Sequence, residues 1–220
     1  IQVFMCYIRH CYNGIGIMYT IFIFRRDFRI RDNTGLIRAM QYNDTETLPI
    51  FIFTPEQIDK AQNEYFSLPA YRFMLESLDC LHEHLQKYNS GLHVFHGDNI
   101  KVLSKLINQY EIKRIVFNRD YTPYSIARDK SIHDLCDKHS IECVMEDDYL
   151  LHPIKDLLKS DGTMYEVFTP YRNNALKRPT RKPDRTRPKN LTRLNIQMSY
   201  KTTLSTMKKK HTATIDNFVS

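Results

Sequence analysis

The sequence predicts an α/β fold: a five-stranded parallel sheet in the order 3-2-1-4-5 with helices on both faces. Three observations carry that expectation. From Tyr19 to Met145, short β-branched and aromatic runs alternate with longer amphipathic ones, the signature of βαβ units. Several of the short runs are apolar at successive positions, which suits strands covered on both sides; a sheet with one wet face would alternate. Two dense polar clusters directly follow the first and fourth runs, where an open, Rossmann-like sheet places its ligand crevice.

The strands are expected at Tyr19 to Phe24, Leu48 to Phe53, Leu92 to His96, Arg114 to Asn118 and Ile141 to Met145. Between Leu68 and Tyr88, the residues Tyr71, Met74, Leu75, Leu78, Leu81 and Leu85 recur at spacings of three and four, a helical stripe facing the sheet. Val102, Leu103, Leu106 and Ile107 repeat the pattern after Asp98, and Ile126, Ile132, Leu135 and Cys136 do so before the fifth strand. Core packing accounts for these stripes. Asp32, Asn33 or Thr34 can cap the first helix, and Asp98 or Asn99 a later one. Tyr149 to Ser160 reads as a loop with a short helix.

Composition bounds the alternatives. With 220 residues, 42% hydrophobic and 26% charged, the chain can build one core of about 150 residues plus extensions. Its six glycines are too few and too scattered for a Gly-x-Gly-x-x-Gly turn or a Walker phosphate loop. No apolar run approaches the ~20 residues of a membrane span, and no basic region with a small-residue cleavage site opens the sequence. An intracellular protein of the cytoplasm or nucleus, with no membrane partner, is expected. Cys6, Cys11, Cys80, Cys136 and Cys143 show neither zinc-type pairing nor a disulfide framework. They read as bystander thiols, and no metal is expected.

Charge divides the chain. Residues 1–170 carry 19 Lys/Arg and 23 Asp/Glu, whereas residues 171–220 carry 13 basic and 2 acidic residues, so the basic excess lies wholly in the tail. Three parts are expected: an upstream extension at 1–17, ending before Met18; an α/β domain at 18–170; and a basic linker or tail at 171–220. A block rich in Arg, Lys, Pro, Thr and Asn cannot bury enough surface to offset its chain entropy, so the tail is expected to be largely disordered. Such a polycation attracts nucleic acid or simply solubilises.

The crevice, if the order is 3-2-1-4-5, lies between the first and fourth strands. Arg25-Arg26-Asp27-Phe28-Arg29-Ile30-Arg31-Asp32-Asn33 follows the first and Asn118-Arg119-Asp120-Tyr121-Thr122-Pro123-Tyr124 follows the fourth. Arg25, Asp27, Asn118, Arg119, Tyr121, Tyr124 and Ser125 are the candidate ligand-binding residues. A second reading gives the same Arg and Asp residues to salt bridges that lock the two loops without any ligand. No catalytic residues emerge: there is no Gly-x-Ser-x-Gly turn and no His-Glu-x-x-His helix, and His82 and His84 stand only two apart. Glu146-Asp147-Asp148 could hold a cation but reads more simply as a solvated acidic loop.

Phe24-Arg25-Arg26-Asp27-Phe28-Arg29-Ile30-Arg31-Asp32-Asn33 resembles the Phe-Arg-x-Asp-Leu-Arg-x-x-Asp-Asn signature of the DNA photolyase/cryptochrome family. Ser67 to Leu78 is similar to that family's long helix, Asn118 to Tyr121 and Ala127-Arg128-Asp129 to its fourth strand and following helix, and Met164 to Tyr171 to the segment leaving the domain. Together they cover residues 18–178. The resemblance implies the N-terminal α/β domain, which in relatives holds an antenna chromophore, often a folate or a deazaflavin. It also implies that FAD and the damaged pyrimidine dimer bind a helical domain of ~270 residues, absent from these 220 and supplied, if at all, by a separate flavin-domain chain. The lack of tryptophan fits, because the family's electron-transfer tryptophans belong to that helical domain. Tyr124-Ser125 stands where folate-binding relatives carry Asn-Glu, which weakens the folate reading. Tyr121 and Tyr124 could stack on a planar ring. The expectation is therefore a truncated or split photolyase-like protein that does not repair DNA alone. The alternatives are a non-catalytic binding module with a nucleic-acid-binding tail, and a decayed gene product.

Overall fold

A computed structural model of the chain describes residues 16–210. Its first strand, β1 (Tyr19–Phe24), is buried along its whole length and forms the middle of the sheet. It pairs in parallel with β2 (Glu46–Phe53) on one side and β4 (Ile112–Asn118) on the other. β3 (His93–His96) extends the sheet beyond β2, and β5 (Glu142–Glu146) extends it beyond β4. The chain thus works outward from β1 to β3 and then crosses back to β4, so strand order reverses between β1 and β4.

The sheet is six-stranded, not five-stranded. Its order is β5-β4-β1-β2-β3-β6, the sixth member being the two-residue β6 (Lys201–Thr202), antiparallel to β3 through the pairs Val94–Thr202 and Phe95–Lys201. A two-residue strand carries no period for sequence reading to detect, and it covers an edge that would otherwise expose unpaired backbone groups.

Alternation along β1 sorts the core into two layers. Phe22 and Phe24, with Phe51 and Phe53 of β2, face α1 (Thr34–Gln41) and α3 (Leu68–Gln86). Ile21 and Ile23, with Ile50 and Ile52, face α4 (Asn99–Gln109) and α5 (Pro123–Lys138). A one-turn α2 (Pro55–Ile58) follows β2. The caps are the expected types: Asn33 accepts from the Leu36 amide, Ser67 from Ala70, Asp98 from Lys101 and Thr122 from Ser125. Within the third stripe Ile126 departs from expectation; it is 59% exposed, because α5 turns Ile132, Leu135 and Cys136 inward instead. A 3-10 turn (Ile154–Leu157) and the exposed α6 (Phe168–Ala175) follow β5.

The expectation of a largely disordered tail fails for its described part. Asp32, in the left-handed region at φ 51°, accepts from the Asp184 amide at 2.8 Å and from Arg181 at 2.6 Å. Further on, the chain passes the start of β2, with Thr47 donating to Asn190 O and accepting from Thr192. Ile196 then buries against the α4–α5 layer, and Met207 of α7 (Leu204–Lys209) against the α1–α3 layer. Mean composition hides these contacts, since a few apolar residues suffice where a preformed sheet edge receives them. Cys6 and Cys11, and residues 211–220, lie outside the described residues.

β6 also fixes the environment of His93. Burial, reinforced by Lys201, His82 and Arg193, pushes its imidazole down to about 3 from the ordinary 6.5. The folded chain therefore holds it neutral, while the unfolded chain takes up a proton below 6.5, so this contribution is complete above that pH and is lost as pH falls toward 3. Urea unfolding should show wild type losing about 2 kcal/mol more than His93→Gln between pH 7.5 and pH 5. Equal losses would refute the assignment.

Candidate functional site

The carboxyl ends of β1 and β4 are joined by a buried polar lock. Asn118, the last residue of β4, donates to Asp27 Oδ2 at 2.5 Å and to Asn33 Oδ1 at 2.8 Å, and accepts from the Gly35 amide at 2.9 Å. Asn33 in turn donates to Asp27 and to Arg29 O, while Asp27 Oδ1 accepts from the Arg25 amide. Asp27, Asn33 and Asn118 are almost wholly buried, so nothing but these partners satisfies them. Gly35 is a requirement of the closeness: a Cβ there would stand 2.6 Å from Asn118 Oδ1 and 3.0 Å from the Phe22 ring.

Beside the lock, Arg25 is also buried. Its Nη1 reaches Asp129 Oδ1 at 2.8 Å and Asn118 O at 3.3 Å, and its guanidinium lies 3.9 Å from the centre of the Phe117 ring. Arg128 donates to the same Asp129 oxygen at 3.0 Å. Two guanidiniums therefore share one carboxylate, and burial followed by the proximity of Arg128 pushes Arg25 down to about 10. It remains a cation at neutral pH. Arg25 Nη2 and Arg128 Nη2 make no hydrogen bond to protein, although both are buried.

These groups border a cavity of about 610 Å³ over the carboxyl ends of β1 and β2 and the start of α5. Its floor is apolar, with Ile23, Phe24, Phe51 and Ile52; its wall is polar, with Asp120, Ser125 and Arg128; Tyr65 and Tyr124 stand at its rim. Size and composition suit an organic ligand with a planar apolar body and a few polar groups. Asp120 is set by Arg26, which pairs with it at 2.5 Å. Burial acts against ionisation, yet the Tyr121 amide and Arg26 hold its carboxyl below the usual range.

Of the seven candidate residues, Arg25, Tyr124 and Ser125 line this cavity. Asp27 and Asn118 do not: they are internal to the lock. Arg119 pairs with Asp147 at 3.6 Å, and Tyr121 donates to the same Asp147 at 2.9 Å; burial and then the Asp147 carboxylate push the Tyr121 phenol up to about 12, against the opposing effect of Arg119. Loop locking and cavity lining thus divide a set of residues that sequence reading left undivided. Tyr65, Gln57 and Asn63 were missed; Gln57 comes from α2 and the other two from the loop after it, and the rule that ligands gather at strand carboxyl ends applies to β2 as well. The acidic loop is not simply solvated. Asp148 is fully buried as a side chain, accepting from the Thr34 amide and hydroxyl and pairing with Arg29. Among the described residues no cluster of His, Cys, Asp and Glu could hold a metal ion, and no helix is long and apolar enough to cross a membrane.

A parallel-dominated sheet with helices on both faces and a cavity over its strand carboxyl ends defines a Rossmann-like α/β domain. Residues 20–189 match the model of the DNA photolyase family, and the chain belongs to that family. It is 32% identical over 168 residues to a deoxyribodipyrimidine photo-lyase of Alkalihalophilus pseudofirmus, a match covering 73% of this chain and 33% of the relative. A cryptochrome-1 of Aedes aegypti is 29% identical over 154 residues, 66% of this chain and 28% of that protein. The chain spans about a third of the length of the curated relatives it matches. Among solved structures, an archaeal photolyase from Sulfolobus tokodaii, described with two FAD molecules and an implied light-harvesting cofactor, is similar at TM-score 0.72 and 34% identity, over 87% of this chain and 41% of that one. The family comprises flavoproteins of DNA repair and their cryptochrome relatives, binding FAD and antenna chromophores.

The stability that the lock contributes is open to test by mutation. Asn118→Ala removes two donors from buried acceptors and should cost about 2–3 kcal/mol in chemical unfolding. Asn118→Asp faces a carboxylate with Asp27 and should cost more, about 3–5 kcal/mol. Both variants retaining wild-type stability would show that the lock does not hold the two loops.

Proposed function

We propose that this chain is the light-harvesting α/β unit of a photolyase- or cryptochrome-type protein and that its crevice holds the antenna chromophore. The single observation that carries the reading is the cavity over the carboxyl ends of β1 and β2, whose apolar floor lies beside two buried guanidinium N–H groups without partners. A flat heteroaromatic ring fits over Phe24, Phe51 and Ile52, with Tyr124 or Tyr65 available to stack, and an anionic side arm fits Arg128 and Arg25. The two FAD molecules of the Sulfolobus relative support a tricyclic ring, flavin or deazaflavin; Tyr124-Ser125 speaks against folate.

When bound, such a group absorbs light and passes its excitation to a flavin. The residues of this chain contribute binding and orientation: Asp129 fixes both guanidiniums, Thr122 and Pro123 start α5 so that Ser125 and Arg128 reach the cavity, and Arg26 sets Asp120 at its wall. The repair or signalling step needs the flavin domain, which we place outside these 220 residues. The face of α6 suits its docking. Val167, Phe168 and Leu176 are 63–70% exposed, and no residue of that helix is buried. A helix with no buried residue, in a chain spanning a third of its relatives' length, suits docking of the part of the relatives that these residues do not match.

Titration with flavin mononucleotide, a 5-deazaflavin and methenyl-tetrahydrofolate, followed by fluorescence, tests the reading. Saturable binding of a tricyclic ring is expected, weakened about tenfold by Arg128→Gln. Illumination of the chain alone with flavin and dimer-containing DNA should give no repair. Failure of all three chromophores to bind overturns the antenna assignment, and repair by the lone chain overturns the need for a second domain.

One observation favours an additional role in nucleic-acid binding. Lys177, Arg178, Lys182, Arg185, Arg187 and Lys189 are all exposed, and among the described residues none of them forms an ion pair. DNA affinity should fall steeply with salt, show no preference for damaged sites, and largely vanish when these six are replaced by Gln. Salt-independent binding would exclude the polycation.

A further inference from the structure

A second cavity, of about 630 Å³, opens at the other edge of the sheet, between β3 and the returning segment from Arg193 to Leu204. It shares no lining residue with the crevice. Its titratable lining groups are Asp79, His82, His93, Arg193 and Lys201. The one carboxylate is already engaged, since Asp79 pairs with Lys208. His82 accepts from the Leu92 amide at 3.1 Å and is hydrogen-bonded to Gln86. Arg193 and Lys201 have no ion pair among the described residues, and Lys201 is the half-buried one, lying 5.0 Å from the centre of the Phe95 ring.

His93 decides what this cavity lacks. Its side chain is 93% buried, being 7% exposed, and Lys201 Nζ stands 3.4 Å from its Nδ1. An ammonium can only donate, so Nδ1 is the acceptor and the ring proton of the neutral imidazole sits on Nε2. That Nε2 is buried and has no partner. A buried donor without an acceptor is costly, and so is a half-buried ammonium without a counter-charge. The burial cost of Lys201 is evident in its ammonium, pushed down to about 8. Two cations without an ion pair therefore line a space whose remaining lining includes Leu92, Val94, Leu194 and Ile196.

We propose that this cleft binds a small organic phosphate, its oxygens taken by Lys201 and Arg193 and its apolar body by the Leu92–Ile196 side. Two cations match a phosphate dianion better than a single carboxylate. The ligand also bridges β3 to the segment that covers its edge, so binding ties the returning tail to the sheet. The site stands independently of any chromophore in the crevice.

Phenyl phosphate, inorganic phosphate and a short DNA duplex are the probes, applied to the full chain. Binding is read by calorimetry, and site occupancy by the rate at which acetic anhydride acetylates Lys201, followed by mass spectrometry. Phenyl phosphate should bind saturably, more tightly than inorganic phosphate, and slow acetylation of Lys201 severalfold. Lys201→Gln and Arg193→Gln, both at positions outside the core, should each weaken it about tenfold while leaving the circular dichroism spectrum and flavin binding in the crevice unchanged. Absence of saturable binding at millimolar phenyl phosphate overturns the proposal, as does undiminished binding by both variants. Protection of Lys201 by the duplex but not by phenyl phosphate would also overturn it, assigning the cleft to nucleic acid instead.

Discussion

Asn118 can satisfy Asp27, Asn33 and the Gly35 amide only where β1 and β4 are neighbours with their carboxyl ends level. Those hydrogen bonds are buried, so a register slip of either strand would leave the Asn118 side chain and the Gly35 amide without partners and take one donor each from Asp27 and Asn33, at several kcal/mol. The lock thus selects one strand order and one register from the several that a set of apolar strands would tolerate. The cavity is a consequence. With the loop after β1 pinned inward on Asn118, Arg25 is directed beneath the crevice onto Asp129, and Arg128 follows from the same carboxylate one turn into α5.

The parallel core was legible because its signals are local and redundant. Phe22 and Ile23 must face opposite layers, and both are apolar, so β1 had to be covered on two sides. The caps could be narrowed from residue type and position to Asp32, Asn33 or Thr34 and to Asp98 or Asn99, and the structure selects Asn33 and Asp98. The candidate site was legible only as two loops. Asp27 and Tyr124 are equally polar-loop residues in the sequence; what separates them is that Asp27 is met by Asn118, 91 positions away, while Tyr124 stands half-exposed at the rim. Pairings at such separation leave no periodic trace. The same applies to Asp148, whose burial depends on Arg29 and Thr34 from the segment after β1 and Arg181 from the tail arriving together.

The tail misled sequence reading for a different reason. Composition weighs a segment against water, and by that measure residues 171–220 cannot fold by themselves. They do not have to. Residues 1–170 carry a net −4 against +11 in the tail, and the structure shows where part of that complementarity acts: Arg181 on Asp32 and Asp148, Lys208 on Asp79. Exposed pairs of this kind contribute little each. Their effect is to bring a cationic strap along an acidic body until Ile196 and Met207 reach the two apolar layers, where burial supplies the larger share. The basic residues left over, on 177–189 and around the β3 edge, are those that no body carboxylate meets. Positive charge held in fixed positions by a folded strap can discriminate among anions by geometry, which a disordered polycation of equal charge cannot.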